Sequence, residues 1–100
     1  MPRNKRLTAQ QIMDNYPPGD ILRHQEPEEF WRYKLEEAKT NKISKNKTLY
    51  QDIEERGQQK PIIIGYKGLD VPSILDGHHR LAALHHMNPN QFVKYRRITP

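Results

Sequence analysis

Five consecutive residues carry the chemistry this sequence offers. They are Asp76, Gly77, His78, His79 and Arg80, set between the apolar Ile74-Leu75 and the helix-forming Leu81-Ala82-Ala83-Leu84. A strand that passes through one glycine into a helix presents the unpaired, partially positive N–H groups of the first helical turn. A phosphate placed at residues 77 to 80 meets those donors. Arg80 adds a planar cation for bidentate contact, and the two imidazoles exchange protons near neutral pH. The expected phosphate- or nucleotide-binding set is therefore Asp76, Gly77, His78, His79 and Arg80, with Lys60 as a further cation. His78 and His79 are the candidate catalytic residues, as general acid or base. The same residues also make an ordinary junction, in which Asp76 caps the helix, Gly77 turns the chain and the rest is a solvated helix start.

A metal site is not expected. Asp76 with His78 or His79 would be its core, but His78, His79, His85 and His86 lack the His-x3-His spacing that aligns two imidazoles on one helix face. His79 and His86 are separated by about 10 Å of helical rise, too far for one ion. Cysteine is absent, which removes disulfides, thiolate nucleophiles and thiolate ligands.

The elements that position these residues belong to a short chain. One hundred residues with 34% hydrophobic content suit one small domain with one core, residues 1 to 100, and no second domain is expected. Seventeen Lys and Arg against twelve Asp and Glu give a net charge of +5, which favours nucleic acid, nucleotides or acidic surfaces and also serves plain solubility. No apolar run approaches a membrane span, and the basic start Met1-Pro2-Arg3-Asn4-Lys5-Arg6 leads into polar residues, so neither a secretion signal nor a membrane partner is expected. A cytoplasmic location follows from these readings.

Along the chain, residues 1 to 47 read as a helical lead-in segment with a basic loop. Thr8 with Gln11 makes a capping box, and Leu7 can staple onto Ile12, predicting a helix to about Asn15. Pro17 and Pro18 stop it, and 19 to 24 can hold a brief edge strand. Pro27 opens a helix over about 27 to 40, with Trp31, Leu35 and Ala38 on one stripe widened by Phe30 and Tyr33. Its glutamates, Glu37 among them, read as a solvated face with local ion pairs. Lys39, Lys42, Lys45 and Lys47 punctuate a segment without apolar periodicity, which reads as a basic loop.

The second half is denser in signals. Thr48 with Gln51 caps a helix over about 49 to 56, closed by Gly57. Pro61 and three consecutive isoleucines predict a buried strand over 61 to 67, and Lys67-Gly68-Leu69-Asp70 a turn. A strand over 72 to 76 returns antiparallel and delivers the chain to Gly77. The following helix ends near Met87, before Asn88-Pro89-Asn90, and a last strand covers about 92 to 98. The predicted class is α+β, a small mixed sheet packed with helices, with Ile62, Ile64, Ile74, Leu81 and Leu84 in its core.

This order resembles the core of the ParB/sulfiredoxin superfamily. It runs from a helix, Gly57 and Lys60-Pro61-Ile62-Ile63-Ile64, through a hairpin, to Asp76-Gly77-His78-His79-Arg80-Leu81-Ala82-Ala83 and a strand. It is most similar to the ParB-like nuclease domain type. The likeness covers residues 48 to 98. It implies a phosphate cradle: Gly77 and Arg80 match the ends of the Gly-Glu-Arg-Arg box that grips a nucleoside triphosphate in partitioning proteins, while His78 and His79 replace its middle pair. In the sulfiredoxin box Gly-Cys-His-Arg, Gly77, His79 and Arg80 match, but His78 stands in the cysteine's place, which excludes that activity. The chain ends where a partitioning protein would continue into its DNA reader, so base-specific recognition is not expected.

Three classes of function remain: an enzyme acting on phosphates as a nuclease, nucleotide hydrolase or kinase-like phosphoryl transferase, a nucleotide-sensing or DNA-binding module without turnover, and a stand-alone interaction protein such as a phage or mobile-element product. The first two take phosphates of a nucleotide or nucleic-acid backbone without sequence selectivity, with a nucleoside triphosphate and Mg as the implied cofactor. The third uses a basic and aromatic surface on a host protein.

Overall fold

A computed structural model describes residues 6–66, 68 and 70–98. The basic arm before Arg6, and Lys67 and Leu69 of the expected turn, lie outside the described residues. Helix α1 (Ala9–Asn15) starts at the expected capping box: Gln11 N donates to Thr8 Oγ1 at 3.1 Å, and Thr8 N donates to Gln11 Oε1 at 2.9 Å. Helix α2 (Pro27–Thr40) has Pro27 in its first turn, where a missing N–H costs nothing. Strands β1 (Lys42–Ser44) and β2 (Lys47–Thr48) form a small antiparallel hairpin. Thr48 then caps α3 (Leu49–Arg56) by a second capping box. Strands β3 (Ile62–Gly65) and β4 (Ser73–Asp76), helix α4 (His78–Met87) and strand β5 (Tyr95–Ile98) complete the order.

The class is mixed α+β, with four helices and two small sheets. The larger sheet has the order β4-β3-β5, with β3 antiparallel to β4 and parallel to β5. The three isoleucines place β3 at its centre: Ile62 and Ile64 are fully buried, while Ile63 is half-buried. Ile74 of β4 and Leu81, Ala83 and Leu84 of α4 close on them. Ala9 and Ile12 of α1, Ala38 of α2, Ile53 of α3 and Val93 complete the cluster, so both halves of the chain share one core. Each fully buried isoleucine contributes about 1.5 to 3 kcal/mol of apolar transfer. α4 is the hub, with α2 its most extensively contacting neighbour and α3 and α1 against its other sides.

Several expectations need correction. Residues 19 to 24 form turns, not an edge strand. Ile74 N donates to Pro17 O at 2.9 Å and Gly19 N to Ile74 O at 2.8 Å, after which the chain turns away. A Cβ on Gly19 would stand 2.5 Å from Ile74 O, so the contact is backbone against backbone at a point where only glycine fits. The basic loop is a hairpin: β1 is exposed along its whole length, so no apolar alternation announces it. Tyr33 is 61% exposed and lies off the buried stripe of α2. The last strand begins at Tyr95, and 91 to 93 pair instead with residues 7 to 9 at the start of α1, through Val93 N to Leu7 O and Ala9 N to Gln91 O.

Candidate functional site

The junction forms as a strand, one left-handed glycine and a helix. β4 carries a bulge against β3: Ile74 pairs with Ile64 and Asp76 with Ile63, leaving Leu75 extra. Gly77 follows at φ 95° and ψ 19° and is the N-cap of α4. Glycine is required there for a second reason. A Cβ would lie 2.9 Å from Ile62 Cδ1 and 3.2 Å from Arg80 Nη2, on the floor of the junction.

Asp76 is not the expected cap. It ends β4, its side chain is 71% exposed, and its Oδ2 lies 3.5 Å from Arg80 Nη2. The left-handed turn at Gly77 occupies the capping position, and no side chain caps the α4 amides. Arg80 is 17% exposed and donates from Nη2 to Pro61 O at 3.1 Å, tying the first turn of α4 to the start of β3. Its Nε is buried without a hydrogen-bond partner. Both Arg80 contacts engage the same nitrogen of a five-donor fork.

The two imidazoles do not flank a common point. Successive helix residues point about 100° apart, and here the two rings have opposite environments. His78 is 4% exposed, edge-to-face on Phe30 with centroids 5.4 Å apart and tilted on Trp31 at 6.0 Å. Its Nδ1 is 3.5 Å from Asp20 Oδ2, and its Nε2 is buried without a partner. Burial pushes its pKa below the ordinary value against the pull of Asp20. His79 is 40% exposed and meets Glu37 Oε1 through Nε2 at 3.2 Å. Burial would raise the Glu37 carboxyl, but the hydrogen bond with His79 and the cation of Lys34, 3.5 Å away, hold it below the usual range.

A cleft of about 200 Å³ opens at this point. Its lining combines polar side chains, from Asp76, His79, Arg80, Glu37 and Asn41, with Gly77 and the apolar Ala38, Ile43 and Leu49. The structure thus brings Asp76, Gly77, His79 and Arg80 together and sends His78 to the α2 interface. Lys60 is exposed in the bend before Pro61 and is absent from the cleft lining. Sequence reading missed Glu37, Ile43 and Leu49. Glu37 does make the local ion pair expected of it, and the adjacent buried Ala38 was the one sign that its turn faces inward. Ile43 was hidden by the loop reading. The arrangement can hold an anion beside Arg80 and uncapped amides, and can move a proton at His79, whose ring Glu37 orients. Among the described residues, no group of three or more His, Asp or Glu side chains converges as a metal site.

Compared with known proteins, the chain matches no family model, no curated protein and no solved structure.

Proposed function

We propose that the cleft at the start of α4 binds a phosphate-bearing ligand, a nucleotide or a nucleic-acid backbone. The observation that carries this reading is the uncapped α4 N-terminus, entered through Gly77 and opening onto a cleft lined by Arg80 and His79. The buried, unpartnered Arg80 Nε supports it, since an orphaned buried donor calls for an acceptor. Asp76 and Glu37 oppose it by charge. Asp76 is largely solvated and can leave the Arg80 fork at little cost, while Glu37 is already engaged by His79 and Lys34. A ParB/sulfiredoxin-like fold is part of this proposal, supported by the element order α3, Gly57, β3, β4, Gly77, α4, β5 around a mixed sheet.

Turnover as a nuclease or nucleotide hydrolase would rest on His79 as the proton-transfer group, with Glu37 as a positioning residue. His78, packed under α2, takes no part in this scheme.

Calorimetric titration of ATP, CTP and tripolyphosphate, with and without Mg, tests the proposal. The expected result is saturable binding that Arg80→Ala weakens by about 1.5 to 3 kcal/mol, the range of a charge-assisted hydrogen bond. Arg80→Lys should recover part of the loss. His79→Ala should keep affinity and slow any turnover by about a hundredfold. Negligible heat from every ligand with the wild type would overturn the reading.

A further inference from the structure

At the other end of α4, a groove of about 320 Å³ is lined by the ends of α3 and α4 and by the segment 91 to 94. Its apolar lining is Ile53, Leu84, Met87 and Phe92, and no carboxylate lines it; of its two cations, Arg56 is already paired with Asp52 through Nε at 2.7 Å and Nη2 at 2.9 Å, which leaves Lys94 to face a partner. Phe92 is 61% exposed although Val93 beside it is buried, and the Arg6 guanidinium stands 5.9 Å from the Phe92 ring centroid. An exposed aromatic residue with the Arg6 guanidinium over its ring and Lys94 in the same groove has the composition of a protein-binding hot spot.

The groove is also held in place. Val93 N donates to Leu7 O and Ala9 N to Gln91 O, each at 3.0 Å. Gln58 clamps Lys94 from both sides, accepting from its N–H and donating to its carbonyl at 2.7 Å. Gln91 Nε2 donates to Leu84 O at 2.8 Å, beside the Asn88 N–H that the same carbonyl accepts, which ties the segment to the last turn of α4. With these backbone groups paired inside the protein, the groove offers a partner apolar side chains and positive charge on a fixed frame, at little ordering cost.

We propose that this groove docks a short acidic segment of a partner protein, one apolar side chain seating beside Phe92 and Met87 and flanking carboxylates meeting Lys94 and Arg6. Charge complementarity selects this occupant. A second copy of this chain would bring a further net +5, and a nucleic acid would find one aromatic ring over an aliphatic floor where stacking platforms present several.

The test uses the isotope-labelled full chain and short synthetic peptides carrying one leucine or phenylalanine among aspartates and glutamates. The same peptides with amides in place of carboxylates, and a thymidine oligonucleotide, are the controls. The acidic peptides should shift the amides of Gly57, Met87, Phe92 and Lys94, and the amide versions should bind about tenfold more weakly. Phe92→Ser and Lys94→Glu should each weaken binding about tenfold while leaving the remaining spectrum in place, since both side chains are exposed. Equal response to acidic and amide peptides, no response to either, or wild-type affinity in both variants would overturn the proposal. So would tighter binding of the oligonucleotide at these residues, or concentration-dependent shifts there without peptide, which would assign the groove to nucleic acid or to a second copy.

Discussion

The His78 ring stands edge-to-face on Phe30, centroids 5.4 Å apart and planes at 79°, while the next residue, His79, meets Glu37 in the cleft. One imidazole fastens α4 to α2 and the other lines the cavity, so a pair that looks alike in sequence divides into a packing residue and a candidate functional one.

Acid should weaken the fold through His78. Its folded pKa lies below the ordinary 6.5 because burial disfavours the charged ring, so the unfolded chain takes up the proton first. Stability is then fully present above about pH 6.5 and falls as pH drops below it. His85, also lowered by burial, adds the same sign. Urea midpoints from pH 8 to 5 should fall for the wild type and flatten in His78→Leu, whatever that variant's stability at pH 8. An unchanged slope in His78→Leu would put the effect elsewhere. The depressed Glu37 and Asp52 carboxyls lose their contributions only at lower pH, below their ordinary 4.5 and 3.8.

Gly77→Ala should destabilise by about 1 to 3 kcal/mol, from a positive φ combined with a Cβ pressed on Ile62. Asparagine tolerates the left-handed region, but Gly77→Asn should fail to rescue because the space is also missing. In an Ile62→Val background, which removes Cδ1, the cost of Gly77→Ala should shrink by about 0.5 kcal/mol or more, read as a coupling in a double-mutant cycle. Strict additivity would show that backbone conformation alone sets the requirement.

Arg80 carries a structural bond as well as its proposed role. Arg80→Ala should lower stability by about 1.5 to 3 kcal/mol through loss of the charge-assisted bond to Pro61 O, measurable by denaturant unfolding. Asp76→Asn should change stability by no more than about 1 kcal/mol, because its carboxylate is exposed and 3.5 Å from Arg80. It should strengthen phosphate binding severalfold by removing a negative charge from the cleft. Weaker binding in Asp76→Asn would mean that the carboxylate contributes to the site and does not oppose it.

Capping boxes, prolines and glycines made most of the elements legible. Thr8-Gln11, Pro27, Thr48-Gln51 and Gly57 each stand at an element boundary in the structure, and the isoleucine run did find the central strand. These signals act within a few residues of chain. The site depends on longer range. That α2 lies across α4, putting Phe30 on His78 and Glu37 on His79, follows from helix packing that no local pattern encodes. The β1-β2 hairpin was invisible for a related reason. Its strands are short and β1 is exposed, so its pairing leaves no hydrophobic alternation, yet it contributes Ile43 to the cleft. Asp76 looked like a cap because an Asp before a helix usually is one; the bulge at Leu75 and the left-handed Gly77 moved it out of place.

The central claim is that anions bind at the start of α4, and amide resonances read it most directly. Titrating the labelled wild-type chain with tripolyphosphate at low salt should shift the backbone amides of Gly77, His78, His79 and Arg80 and the Arg80 Nε–H together, along one saturable curve. Shifts confined to the exposed lysines of the β1-β2 hairpin and to Lys94, or no saturation at the 77 to 80 amides, would contradict it.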